Sequence, residues 1–202
     1  MGRGFAAALH SRHEVVFGSR DPEKAGKVVR STRAAGAVSP AEAAAGAEVV
    51  ILAVPWQAME ETLAGLGDLD GTVVIDVSVP YGKAREALGR RSTGEVVQKR
   101  LPGARVVKGW NHVFAEYLTA PQVEGIASSV LLAGDDLEAK RIFSALARDM
   151  GFHPVDVGPL RQSYHLDRLV SMMLLVRLGP FRVLTAPSWL ARGSSYDSTR
   201  SA

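Results

Sequence analysis

Short, unbroken apolar runs recur along the chain, with helically patterned stretches between them. Val15–Phe17, Val49–Val54, Val73–Val77, Arg105–Lys108, Val130–Ala133 and Val155–Val157 read as strands. Most of these runs do not alternate between polar and apolar residues, which marks burial on both faces. Helical patterns occupy Pro22–Thr32, Gln57–Leu63 and Leu137–Met150. Strands that alternate with helices build βαβ units around a parallel sheet. The pattern predicts an α/β fold with a doubly wound, mostly parallel sheet of the Rossmann type.

The helix predicted over Leu137–Met150 carries its own end signals. Asp135 is placed to cap it, with Glu138 three residues on, and Gly151 ends it. Ile142, Leu146 and Met150 share one face, with Phe143 beside them. Tyr164–Leu178 reads as a further helix, apolar around most of its circumference. Such a helix is buried against the sheet or against a second subunit. Gly179–Pro180 ends it, and the Ser- and Gly-rich stretch Gly193–Ala202 is predicted to be disordered. The reading divides the chain into a nucleotide-binding domain (1–160) and a C-terminal helix and tail (161–202), the latter forming the substrate and homodimer side.

Composition narrows the partners. The chain has 202 residues, 47% of them hydrophobic, enough for one sizeable core. Lys and Arg number 24 and Asp and Glu 21, giving a net charge of +3. That mild excess, with no block of like charges, suits an anionic small molecule and gives no sign of nucleic-acid binding. The absence of cysteine excludes disulfides and thiolate metal sites, and a cytoplasmic setting accommodates it. No apolar run is long enough to span a membrane, no signal-peptide pattern opens the chain, and the histidines lack metal-ligand spacing.

The candidate chemistry lies at predicted strand ends, where open α/β sheets bind ligands. Met1-Gly2-Arg3-Gly4 opens a helix with small residues on its contact side. A dinucleotide fingerprint consists of a strand, then G-x-G-x-x-G, then such a helix, and Gly2 would be its third glycine. Gly18-Ser19-Arg20-Asp21 follows the next strand, with Lys24 one helical turn later. An acidic residue at that strand end favours NAD, whereas Arg accommodates the 2′-phosphate of NADP. Ser19 offers a hydroxyl, Arg20 a planar fork of donors and Lys24 a point charge. The alternative is an ordinary polar strand-to-helix turn. Ala53-Val54-Pro55-Trp56 ends the next strand; small residues there let a flat ring approach, and Pro55 can also open the following helix.

Taken in order, these segments resemble one family. They are joined by Val74-Ile75-Asp76-Val77, Val106-Val107-Lys108-Gly109-Trp110-Asn111, Ala133-Gly134-Asp135-Asp136 and Gly151-Phe152-His153-Pro154 through Leu160. The chain is similar, over Met1–Leu160, to NADPH-dependent coenzyme F420 reductases and their NADP oxidoreductase relatives, a group that includes the reductase domains of membrane metalloreductases. The resemblance implies that Ser19, Arg20 and Lys24 hold the 2′-phosphate of NADP. It places Gly2 and Arg3 at the pyrophosphate and Ala53, Val54 and Pro55 along the nicotinamide ribose. Asn111 comes near the nicotinamide and the acceptor, which is coenzyme F420 or another flat redox molecule. No residue is assigned as a catalytic acid or base, since hydride transfer mainly requires two rings held at the right distance. His112 is the nearest titratable side chain and is read as structural. Many relatives carry Asn before the proline that is Pro80 here, where this chain has Val79.

Two further readings stay open. One is an NADPH reductase of an imine, a flavin or a ferric chelate. The other is a catalytically silent nucleotide-binding paralogue, suggested by Val79 and by the incomplete fingerprint. Relatives place an apolar strand and two more glycines ahead of Gly2, and that first strand is central to the sheet order. The sequence therefore predicts an upstream segment of about 10–12 residues in the natural chain, with Met1 internal to it. The in-frame codons upstream of Met1 test this: a stop codon with no strand and no glycines ahead of it refutes the expectation.

Overall fold

The computed structural model describes residues 1–178, with side chains described to residue 173. The predicted stop at Gly179–Pro180 and the tail at Gly193–Ala202 lie outside the described residues. The chain begins with α1 (Gly2–Leu9), β1 (Val16–Gly18), α2 (Pro22–Thr32), β2 (Gly36–Val38) and α3 (Pro40–Ala44). It continues through β3 (Val49–Leu52), α4 (Met59–Ala64), β4 (Val73–Asp76), α5 (Lys83–Leu88), α6 (Thr93–Arg100) and β5 (Arg105–Gly109). A short hairpin of β6 (Gln122–Val123) and β7 (Ile126–Ala127) leads to β8 (Ser129–Gly134), α7 (Leu137–Asp149), β9 (His153–Asp156) and α8 (Ser163–Leu178).

The main sheet runs in the order β3-β4-β5-β8-β9. β3, β4 and β5 are parallel, β8 is antiparallel to β5, and β9 is parallel to β8. The mostly parallel α/β architecture is the one the sequence predicts. β1 and β2 form a separate parallel pair, and β1 shares no ladder with β3. Among the described residues the strand array is thus split between β1 and β3, where the sequence reading expects a missing central strand.

Burial on both faces explains the unbroken apolar runs. Every residue of β4 is fully buried. Val73 and Ile75 pack with Phe5, Leu9, Val107 and Phe143, while Val74 packs with Leu52, Met59, Val97 and Val106 on the other face. Helices α1 and α7 cover the first face, and α4 and α6 cover the second.

Local signals set the helix ends. Asp21 caps α2 and accepts the Lys24 N–H, with Pro22 in the first helical position. Ser39 with Glu42 and Ser92 with Glu95 form reciprocal capping boxes at α3 and α6. One expectation is corrected: Asp136, not Asp135, caps α7, accepting the Ala139 N–H at 2.7 Å. The cap must directly precede the first helical residue, Leu137, to reach the third helical N–H, and Asp135 lies one residue too early. Asp135 instead accepts the Leu160 N–H at 2.9 Å and anchors the approach to α8. The sequence reading also missed β2, α3, α5, α6 and the β6–β7 hairpin, which are short or predominantly polar.

Gly109 ends β5 where no side chain fits. A Cβ there would overlap the Cζ and Cε2 of the buried Phe143 ring. Gly109→Ala is therefore expected to cost about 1–3 kcal/mol through overpacking. Urea denaturation checks this, and a stability equal to that of the parent chain would contradict the packing argument.

Candidate active site

Segments distant in sequence meet beyond the carboxyl ends of β1 and β3. Gly2 opens α1 against both: a Cβ at Gly2 would stand 2.9 Å from Phe17 Cε2 and 3.7 Å from Ala53 Cβ. The missing side chain lets the start of α1 lie against both strand ends. No acidic residue occupies the first turn of α1, so its partial positive charge is not offset locally. Arg3 is exposed beside it. Ala53 and Val54 are half-buried, and the exposed Pro55 precedes the 3-10 turn Trp56–Ala58 rather than standing within it.

The polar groups after β1 all have protein partners. Ser19 Oγ accepts the Asp21 N–H at 3.1 Å and lies 3.2 Å from the Asp21 carbonyl oxygen. Lys24 Nζ lies 3.1 Å from Asp21 Oδ2, and Arg20 Nη1 lies 2.5 Å from Glu61 Oε1 on α4. The Lys24 backbone N–H, followed by its ammonium group, holds the Asp21 carboxyl below its ordinary pKa. These pairs are exposed, and water screens them.

The exit of β5 is strained and buried. Trp110 has φ 53°, a left-handed conformation that is costly for a bulky residue. Packing holds it there: its ring meets Phe5 edge-on at 5.2 Å and Phe143 at 4.1 Å between centroids. The Val113 N–H donates to the Trp110 carbonyl at 3.0 Å and closes the turn. This turn buries Asn111 and His112. Strain of this kind concentrates at functional sites.

His112 Nε2 faces the Leu131 N–H at 3.2 Å, and its Nδ1 lies 3.4 Å from Asn111 Oδ1. Burial lowers its pKa to about 4, against a hydrogen bond with the Ser129 backbone and with the help of the nearby Lys108 charge. The ring is therefore neutral at pH 7 and is bound into the backbone of β8. Among the described residues, three buried side-chain atoms lack a hydrogen-bond partner: Ser78 Oγ, Trp110 Nε1 and Asn111 Nδ2. All three lie one or two residues beyond the carboxyl ends of β4 and β5.

Beneath this rim lies a charged cluster that sequence reasoning missed. Lys108 is fully buried, with its Nζ 2.9 Å from Asp76 Oδ2 and 3.1 Å from Asp167 Oδ1. It also donates to Thr93 Oγ1 and to the Ser78 carbonyl, each at 2.6 Å. Asp76 Oδ1 accepts the Ser78 N–H at 2.8 Å, so the ion pair grips both backbone polar groups of Ser78. Asp167, on α8, accepts the Thr93 N–H at the start of α6 at 2.9 Å. Burial alone would lower the Lys108 pKa, but the two carboxylates outweigh it and raise it. One lysine facing two carboxylates leaves one surplus negative charge, and burial accordingly raises the Asp167 pKa despite the Lys108 ammonium. The sequence held a signal: Asp76 and Lys108 are charges inside apolar strands, and such charges are paired when buried.

The chain is similar to known proteins. The family described as NADP oxidoreductase, coenzyme F420-dependent, matches residues 1–80. Over 181 residues the chain is 30% identical to the F420-dependent NADP reductase of Methanothermobacter thermautotrophicus, covering 80% of this chain and 77% of that one. The chain belongs to this family. It is also 34% identical over 196 residues to the metalloreductase STEAP3 of Rattus norvegicus, covering 94% of this chain but only 37% of that protein's length. A crystal structure from Arthrobacter sp. FB24 shares the fold with a TM-score of 0.78 at 24% identity, covering 87% of this chain and 88% of that one. No helix among the described residues is long and apolar enough to cross a membrane.

The low pKa of His112 makes stability depend on pH. Its folded value, about 4, lies below its ordinary 6.5, so the unfolded chain binds more protons between these values. Stability contributed by this residue is complete above the unfolded value and is lost as pH falls toward the folded one. Between pH 7 and pH 5 the loss is expected to be about 2 kcal/mol. Urea melts of the parent chain and of His112→Gln at both pH values isolate it. Equal pH dependence in the two proteins would refute the assignment.

Proposed function

We propose that the chain is an NADP(H)-dependent oxidoreductase that exchanges a hydride with a flat acceptor of the coenzyme F420 type. The observation that carries this reading is the convergence of Gly2, Phe17 and Ala53, which sets the start of α1 against the strand that leads into the Ser19–Arg20–Lys24 turn. In this reading Ser19, Arg20 and Lys24 would hold the 2′-phosphate, and Gly2 and Arg3 would face the pyrophosphate. Ala53, Val54 and Pro55 would line the nicotinamide ribose, and Asn111 would face the nicotinamide and the acceptor.

The residues present fit such a cofactor. Two cations stand at a helix start, where anions are favoured. The cradle at Gly2 would be filled by any Cβ. Among the described residues, Asn111 Nδ2 is a buried donor without a protein partner. NADPH supplies the hydride when bound. The protein contributes binding, alignment and exclusion of water. The neutral, buried His112 fixes Asn111 and the β5 exit. The segment from 161 onward, whose helix α8 carries Asp167, is proposed as the acceptor side and the homodimer contact. The relationship to a metalloreductase supports a ferric chelate as the second acceptor class.

Two measurements test this. Steady-state turnover of NADPH is expected with coenzyme F420. Turnover with a ferric chelate or an imine instead would move the acceptor assignment, and no turnover with any acceptor would favour a silent nucleotide-binding module. Arg20→Ala is expected to weaken NADPH binding about ten- to a hundredfold while leaving NADH nearly unchanged, the loss of a charge-assisted contact. Equal losses for both cofactors would refute the phosphate assignment.

A further inference from the structure

The two cations assigned to the 2′-phosphate already face carboxylates, and the two carboxylates differ in kind. Asp21 is local. It caps α2, takes the Lys24 N–H at 3.0 Å and pairs with Lys24 Nζ within one helical turn. Its place is fixed by the turn itself. Glu61 is not local: it approaches Arg20 from α4, 41 residues further along the chain. The Arg20–Glu61 pair therefore joins the end of β1 to the helix after β3, across the split between the two sheets.

A carboxylate on a guanidinium is the nearest protein equivalent of a phosphate there, because both offer oxygens to the same fork of donors. The Arg20 and Glu61 side chains are 62% and 71% exposed, so water screens the pair and parting them is cheap. Once released, Glu61 is solvated where it stands. The neighbouring Glu60 pairs with Arg100 on α6 instead, so the contact with Arg20 belongs to Glu61 in particular.

We propose that Glu61 is an affinity-setting residue that occupies Arg20 until a ribose phosphate monoester displaces it. This inference rests on the preceding reading of Arg20. A phosphate monoester carries about −1.5 to −2 charge and three acceptor oxygens, and it outcompetes a single carboxylate. A neutral ribose hydroxyl does not, so NADH gains nothing from Arg20. Glu61 thus lowers NADPH affinity, and with it the margin over NADH, while NADH affinity is left untouched. The opposing possibility is that Glu61 accepts hydrogen bonds from ribose hydroxyls, as acidic residues do in NAD sites. It predicts that Glu61→Gln weakens NADH binding.

Glu61→Gln tests the proposal, being nearly isosteric at an exposed position. NADPH, NADH and 2′-AMP are titrated calorimetrically into the parent chain, Glu61→Gln, Arg20→Ala and the double variant. The expected result is NADPH and 2′-AMP binding about two- to fivefold more tightly to Glu61→Gln, the size of an exposed ion pair, with NADH unchanged. In the Arg20→Ala background the gain disappears. Glu60→Gln removes the same charge one residue away and is expected to change nothing. An unchanged NADPH affinity in Glu61→Gln, or weaker NADH binding, would overturn the proposal. A gain that survives Arg20→Ala, or that Glu60→Gln reproduces, would reduce it to a general charge effect and overturn it as well. If Arg20→Ala alone leaves NADPH binding intact, the phosphate assignment itself falls. If Arg20→Ala weakens binding while Glu61→Gln is silent, only the role of Glu61 falls.

Discussion

A lysine with no access to water sits at the carboxyl end of the two central strands, and its charge must be answered there. Taking an ion out of water costs several kcal/mol even after relaxation, and removing one partner of a buried pair typically costs about 3–5 kcal/mol. Asp76 answers Lys108 from the neighbouring strand, where the parallel register sets the two residues side by side. Asp167 answers it from α8, and Thr93 joins them at the start of α6. Four elements are therefore tied to one point. The C-terminal helix in particular docks through a charge, not only through its apolar surface.

The same cluster disciplines the rim above it. Ser78 leaves β4 with its N–H on Asp76 and its carbonyl on Lys108, so the exit of that strand has little freedom. The neighbouring exit is fixed differently, by Trp110 held in a left-handed conformation between two aromatic rings. Buried polar atoms left without partners gather at these two exits. A rim that is rigid, strained and incompletely satisfied suits a surface built to meet a ligand's polar groups. The β1 side is built otherwise. Its cations are exposed and held by loose ion pairs, as suits a charged group arriving from water.

Much of the fold was legible because its signals are local or periodic. β4 reads as an unbroken apolar run because both of its faces are covered, and α2 announces itself with Asp21-Pro22. Ser19, Arg20 and Lys24 were legible as a candidate anion site because a few residues at one strand end carry the chemistry. The cap of α7 was misplaced by one residue because Asp135 and Asp136 look equivalent until the first helical residue is known. Asp167 was invisible as a partner of Lys108, since nothing in a sequence states which two charges, 59 positions apart, meet in the folded chain.

The sequence by itself determined the α/β class, the buried character of the central strands and the cationic turn after β1. Each follows from hydrophobic periodicity or from residue types a few positions apart. Only the tertiary structure decided that Gly2 lies against Phe17 and Ala53, that Lys108 is shared between Asp76 and Asp167, and that Glu61 holds Arg20. Those contacts link segments whose separation along the chain carries no pattern. They arise when parallel strands align in register and helices pack across them, and the energy of a buried or bridged charge then depends on which side chain arrives opposite.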